Sequence, residues 1–222
     1  MTVPRPPASR TRDFRTPMIM FRGSGFALYG RSRALPATLA ALAGTALAAA
    51  VAAYWLRGLP DAGQDAREPV VLLAPLLAAA ALGTGLHTPS EELDRTGVRR
   101  WWPRRLLHVL ALTALASAAL AAAVPGDPDQ YGAPAMVRNV LGATGVTAAA
   151  ATVLGARLSW LPMTVCTGAI RFLGATGADG GAPGWIWPLH AGPGPAAWVA
   201  AGAVFAAGAV LFAACGARRE SL

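Results

Sequence analysis

Six apolar stretches, each close to the length of a bilayer crossing, fill most of the 222 residues: 35–56, 70–86, 106–124, 133–154, 158–175 and 195–215. A helix needs ~20 consecutive, mainly apolar residues to traverse the hydrocarbon core. Backbone in lipid must satisfy its own hydrogen bonds, so runs of this length are expected to be helices. The chain is therefore expected to be an all-α integral membrane protein with six transmembrane helices. Residues 1–34 then form a basic tail, 35–215 the membrane domain and 216–222 a second, short tail.

The basic residues orient this domain. All 19 are arginine, and lysine is absent. Seven (Arg5, Arg10, Arg12, Arg15, Arg22, Arg31, Arg33) precede the first stretch, and five (Arg95, Arg99, Arg100, Arg104, Arg105) lie between the second and third. Arg157 falls between the fourth and fifth, and Arg218 and Arg219 follow the sixth. The alternate loops carry Asp61, Asp65, Glu68, Asp127, Asp129 and Asp179 instead, with few arginines. Basic loops stay in the cytoplasm. Both termini are thus expected inside, as an even number of spans also requires. All seven tryptophans fall near span ends or in loops, where amphipathic rings sit at headgroup level.

The net charge of +8 does not point to nucleic acid, because no basic groove or aromatic platform accompanies the arginines. Anionic lipid is the partner that a cytoplasmic arginine belt meets. The first stretch follows a basic segment, as a secretory signal would. Its apolar run exceeds the ~7–15 residues of such a signal, and further spans follow, so it reads as retained. Cys166 and Cys215 lie within spans without metal-ligand spacing and read as structural thiols. Heavy alanine and arginine usage suggests a GC-rich genome of the actinobacterial kind.

Residues 1–15, rich in proline, arginine, serine and threonine, have the composition of a disordered tail. Between 17 and 29, Met18, Phe21, Gly25 and Leu28 share one helical face, with Arg15 and Arg22 off it. That pattern suits a short helix in the inner membrane interface. Gly142 and Gly145 in the fourth span, and Gly202 and Gly208 in the sixth, mark faces that pack closely within the bundle or against a second copy. Arg138 and Arg171 are the ionisable exceptions inside spans, each toward an outer end. Each can snorkel outward, pair with Asp127, Asp129 or Asp179, or contact an anionic substrate or lipid. No buried carboxylate pair supports a proton- or sodium-coupled carrier.

Two loops carry the functional information. In the cytoplasmic loop 87–105, Thr88 suits an N-cap, Pro89 the first helical position and Glu91 the third, completing a capping box. Glu91, Glu92 and Asp94 sit where the helix dipole favours negative charge, and Gly97 can end the helix. The spacing predicts a short helix over 89–96, acidic and then basic, running into Trp101, Trp102 and Pro103 at the membrane. A plain solvated connector is the alternative. In the outer segment 176–194, the run Gly184-Trp185-Ile186-Trp187-Pro188-Leu189 is too short to span and too apolar for a free loop. It reads as a shallow re-entrant or interfacial element between glycine and proline turns. Packing of the tryptophans at headgroup level accounts for it as well as a gate does.

The order of these parts is a basic segment before the first span, a short charged helix linking the second and third inside, a tight turn between the fourth and fifth, and a half-inserted apolar segment between the fifth and sixth outside. This order resembles the membrane subunits of class-two ATP-binding-cassette (ABC) exporters, and the loop 88–96 is similar to those of small actinobacterial permeases of this kind. The resemblance spans nearly the whole chain, in topology and loop character. It implies that the helix 89–96 is a coupling helix seated in a groove of a separate cytoplasmic ATPase, with Glu91, Glu92, Asp94 and Arg95 in the contact. It also implies that two copies, or this chain and a similar permease, form the pathway in the cell membrane. Trp185, Ile186 and Trp187 would stand at its outer end. ATP and magnesium would sit on the partner, leaving this chain without cofactor, metal or catalytic residues. One negative comes from the residues themselves. A Walker A loop needs a lysine for the phosphates, and the chain has none.

Other readings remain open on the sequence. A haem-bearing redox subunit would use His87 and His108, near the cytoplasmic ends of the second and third spans, while His190 lies on the other side. A non-transporting accessory or assembly subunit of a membrane complex is the main alternative. An intramembrane enzyme is disfavoured, since no Ser/His, His/Glu or Asp/Asp constellation meets at one depth.

Overall fold

The computed structural model describes residues 35–58, 67–86, 102–125, 131–173, 184–189 and 194–218. They form six α-helices: α1 (Leu35–Arg57), α2 (Glu68–Gly85), α3 (Trp102–Ala123), α4 (Ala133–Leu154), α5 (Leu161–Leu173) and α6 (Pro195–Cys215). A 3-10 helix, Gly184–Leu189, stands between α5 and α6. There is no strand among the described residues.

Proline sets where these helices begin. Pro36, Pro69, Pro103, Pro134, Pro162 and Pro195 each hold the first or second position of one of them. There the missing N–H has no intrahelical acceptor to lose, and the fixed φ already suits a helix. This corrects three expected starts: α2 begins at Glu68 rather than 70, α3 at Trp102 rather than 106, and α5 at Leu161 rather than 158. A helix begun at Leu158 would bring the Pro162 ring against the Leu158 carbonyl four residues back. Residues 156–160 form turns instead, and the Leu161 N–H donates to the Leu158 carbonyl at 3.1 Å. Gly155 and Gly216 end α4 and α6 at φ 88 and 74. In that left-handed region a side chain is strained, so glycine stops both helices where the sequence placed their ends.

The 13 residues of α5 rise only about 20 Å, short of the ~30 Å hydrocarbon core. Five helices, α1 to α4 and α6, are long and apolar enough to cross a membrane; the expected span 158–175 is not a sixth of that length among the described residues. Even so, α5 and the turn before it run the length of α2. Ser159 lies against Gly83 in the last turn of α2, and Arg171 reaches Glu68, the first residue of α2.

Helix α4 is the hub, packing on α2, α3, α5, α6 and the 3-10 helix. One core cluster joins α1 to α4 through Ala53, Val71, Leu120, Met136 and Val140, and a second joins α3, α4 and α6 through Val109, Ala148, Ala151 and Phe212. Association in lipid depends on close backbone approach, and α4 meets α6 at its tightest where Gly145 faces Gly208. A Cβ on Gly145 would stand 2.6 Å from the Phe205 backbone, and one on Gly208 would strike the Gly145 carbonyl. The expectation of glycine faces packed within the bundle holds at these positions and not at Gly202, where an added Cβ meets nothing within 4 Å, which leaves that face to a second copy.

The outward surface is apolar. Phe172 is 84% exposed and Tyr54 77%, with Leu47, Leu107, Val165 and Val199 likewise uncovered. A soluble monomer rarely exposes so much contiguous apolar surface, whereas hydrocarbon covers it at no cost. The chain is a multi-pass helical membrane protein.

Candidate functional site

The most structured polar site begins with Pro75, inside α2. Lacking an N–H, Pro75 leaves the Val71 carbonyl four residues earlier without its helical donor. An orphaned carbonyl in a buried position is costly. Asn139 of α4 supplies the missing donor: its Nδ2 donates to the Val71 carbonyl at 3.1 Å and to the Pro188 carbonyl of the 3-10 helix, also at 3.1 Å. One amide thus ties α2, α4 and the outer segment together. The Tyr131 hydroxyl adds a bond to the Leu189 carbonyl at 3.2 Å.

Trp187 drives the same segment deeper. The outer edge of its six-membered ring lies against Gly142, where any Cβ would collide with it, and it is buried beside Ala79, Ala143, Met163, Ala197 and Ala201. Gly142 lies nine residues past the start of α4, a depth of about 14 Å along the helix. Trp187 is therefore enclosed within the bundle rather than lying on its surface. A slot between small residues takes it. Trp185 and Ile186 belong to the same 3-10 helix, but their side chains lie outside the described residues. Trp55, Trp102 and Trp160 are exposed at helix ends or turns, as expected of interfacial rings.

Arg138 neighbours this bridge at 0% exposure. Its Nε donates to the Asn139 Oδ1 at 3.3 Å, which orients the amide so that Nδ2 faces the two carbonyls. The expected snorkelling to the outer interface does not occur, because the fold encloses the side chain. Arg171 does stay at the surface and pairs with Glu68 at 3.5 Å; Asp127, Asp129 and Asp179, its other candidate partners, lie outside the described residues. At 56% exposure of the arginine side chain this pair contributes little, and Glu68→Gln is expected to shift stability by less than about 1 kcal/mol in a thermal melt.

Opposite this end, the starts of α1 and α3 gather with the ends of α2, α4 and α6. Thr38 lies against Gly85, and the Arg105 guanidinium against Gly216. The Arg218 N–H donates to the Ala151 carbonyl at 2.8 Å, and its Nη1 to the Val153 carbonyl at 2.9 Å. Arg218 thus caps the carbonyl end of α4, where the helix dipole favours positive charge.

Glu91, Glu92, Asp94 and Arg95, with the helix expected over 89–96, lie outside the described residues, as do the segment 17–29 and His87. His108 is buried in α3. Cys166 and Cys215 are free thiols on the lipid-facing surface rather than packed in the core. Among the described residues, no three His, Cys, Asp or Glu side chains group as metal ligands. Along the interior face of α4, the buried Thr144 and Thr147 hydroxyls have no hydrogen-bond partner among the described residues. Thr113, by contrast, bonds back to the Val109 carbonyl at 2.7 Å.

No family model matches the chain, and no curated protein or solved structure is detectably similar to it. The site therefore stands on its own geometry. Sequence reading missed Asn139 and Tyr131. The available signal was a proline in the middle of an apolar span together with an amide inside another, since one frees a carbonyl and the other can fill it.

Proposed function

We propose that the chain is the membrane permease subunit of an ABC-type exporter in the cytoplasmic membrane, with six crossings and both termini inside. The observation that carries this reading is the apolar segment between α5 and α6, tied by its carbonyls to Tyr131 and Asn139 and seated in the bundle by the Trp187 ring. A chain that needed only a connector there would gain nothing by inserting it. Support for six crossings comes from α5 and its turn running beside α2 from end to end, and support for the orientation from the arginine bias.

In this reading a separate P-loop ATPase grips the loop 87–105 and supplies all of the nucleotide chemistry. Two permeases, identical or similar, surround the pathway. Helix α2 ends at that loop, and its first turn holds the Val71 carbonyl that Asn139 engages. A displacement of the loop therefore acts on a helix whose far end is tied to the outer segment. Arg138 lies at that outer end, and the Thr144 and Thr147 hydroxyls lie along α4.

The test is purification from the native host in gentle detergent, with mass spectrometry of stoichiometric partners, for the wild type and for Glu91→Gln/Glu92→Gln/Asp94→Asn. The expected result is a P-loop ATPase with the wild type and its loss, or at least tenfold depletion, with the triple variant, since several charged contacts each contribute ~1–3 kcal/mol at an interface. Recovery with assembly or redox proteins and no ATPase would sink the exporter reading in favour of an accessory subunit.

A further inference from the structure

We propose that Asn139 is the latch of an outer lid: its amide nitrogen holds the 3-10 segment to α2, and a shift of α2 along α4 releases that segment. Four observations carry this. The Asn139 Nδ2 donates to two backbone carbonyls, Val71 on α2 and Pro188 on the segment. A primary amide has two N–H bonds, so one side chain can serve both acceptors, provided α2 and the segment keep their register. Pro75 makes the Val71 carbonyl available, so the contact depends on a specific break in α2. Arg138 holds the amide oxygen, which fixes which end of the side chain faces the carbonyls.

Beside the amide, one hydroxyl and one buried ring hold the segment. The Tyr131 bond is a single hydroxyl to a carbonyl. The Trp187 ring rests against Gly142 and clusters with Ala79, Ala143, Met163, Ala197 and Ala201, a seat made mostly of small side chains. Among the described residues, the side-chain hydrogen bonds from Asn139 and Tyr131 end on backbone carbonyls of the segment. The α4–α6 crossing beneath it is different, being closed by backbone against backbone at Gly145 and Gly208. Lifting the lid leaves that crossing intact. The role of ATP in moving α2 rests on the exporter reading; the latch itself does not.

The test is the reactivity of a cysteine at Leu189 toward a membrane-impermeant maleimide, in a Cys166→Ala/Cys215→Ala background. Open membrane fragments from the native host leave both faces accessible. Asn139→Ala is expected to speed labelling about tenfold, as loss of two hydrogen bonds implies, and Tyr131→Phe about threefold. Pro75→Ala, which returns a helical donor to the Val71 carbonyl, is expected to speed it by roughly threefold, since the amide then competes for that carbonyl. A cysteine at the buried Ala209, in the α4–α6 contact, should remain unreactive throughout. If Asn139→Ala exposes Ala209 as well, Tyr131→Phe decides between local release and unfolding. Labelling indifferent to Asn139 and Tyr131 overturns the latch, and indifference to Pro75 alone overturns the link to α2. Adding Mg-ATP and vanadate separates the two proposals: control by Asn139 without any nucleotide effect keeps the latch and counts against the exporter.

Discussion

Replacing Gly208 with valine is expected to remove most of the folded protein from the membrane, while the same change at Gly202 leaves yield and thermal midpoint near wild type. The two glycines are six residues apart on one helix and have equal propensity costs, so only tertiary context separates them. At Gly208 the first side-chain atom would collide with the Gly145 carbonyl, and at Gly202 it meets nothing. Collision with backbone cannot be relieved by a rotamer change, so α4 and α6 must move apart. Overpacking of this kind costs about 1–3 kcal/mol, and more when backbone has to shift. In a bilayer no hydrophobic force between helices offsets it, because lipid is as apolar as the helix surface. Fluorescence-detected size exclusion on detergent extracts, followed by a thermal melt, reads both variants. Equal behaviour of the two would mean that α4 and α6 do not cross at Gly145 and Gly208.

The second large effect is expected at the Trp187 slot. Trp187→Ala empties it at a cost of about 3–5 kcal/mol, the range for deleting a buried large aromatic ring. Gly142→Val fills it from the other side and expels the ring, at about 1–3 kcal/mol. The two changes are complementary in space, so they should not add. With the tryptophan gone, valine at 142 occupies vacated volume, and its penalty should largely disappear, a coupling on the order of 1–2 kcal/mol. Chemical denaturation of the four proteins in one detergent measures the cycle. Simple additivity would show that Trp187 does not rest on Gly142. The same variants bear on the lid: Trp187→Ala weakens its seat without touching the Asn139 amide, so labelling at Leu189 should rise in that variant too.

Much of the frame was legible in the residues. Apolar run length marked five helices nearly to the residue at 133–154 and 195–215, and the glycines after them explain why those ends were sharp. The shorter α5 was misjudged because Pro162 counts as apolar in a run yet excludes the residues before it from the same helix. The outer segment was found for a sound reason, being too apolar to hang free. The seat of its Trp187 ring was not, because the expectation had no partner for that ring. Gly202 and Gly208 look alike in sequence. Nothing local says which face of an alanine-rich helix will meet another backbone.

Hydrophobic length, helix starts and charge bias are properties of a single segment against lipid, water and its own hydrogen bonds. For that reason the helical membrane class and the approximate extent of five long helices were readable from local pattern alone. Contacts between segments far apart in the chain depend on backbone distances that no local pattern encodes. Tertiary structure alone decided that Asn139 would fill the carbonyl freed by Pro75, that Arg138 would be enclosed, that Arg171 would meet Glu68 and that Trp187 would find Gly142. The physical reason is common to all four: a buried polar atom or a large ring accepts whichever partner close packing brings within about 3–4 Å.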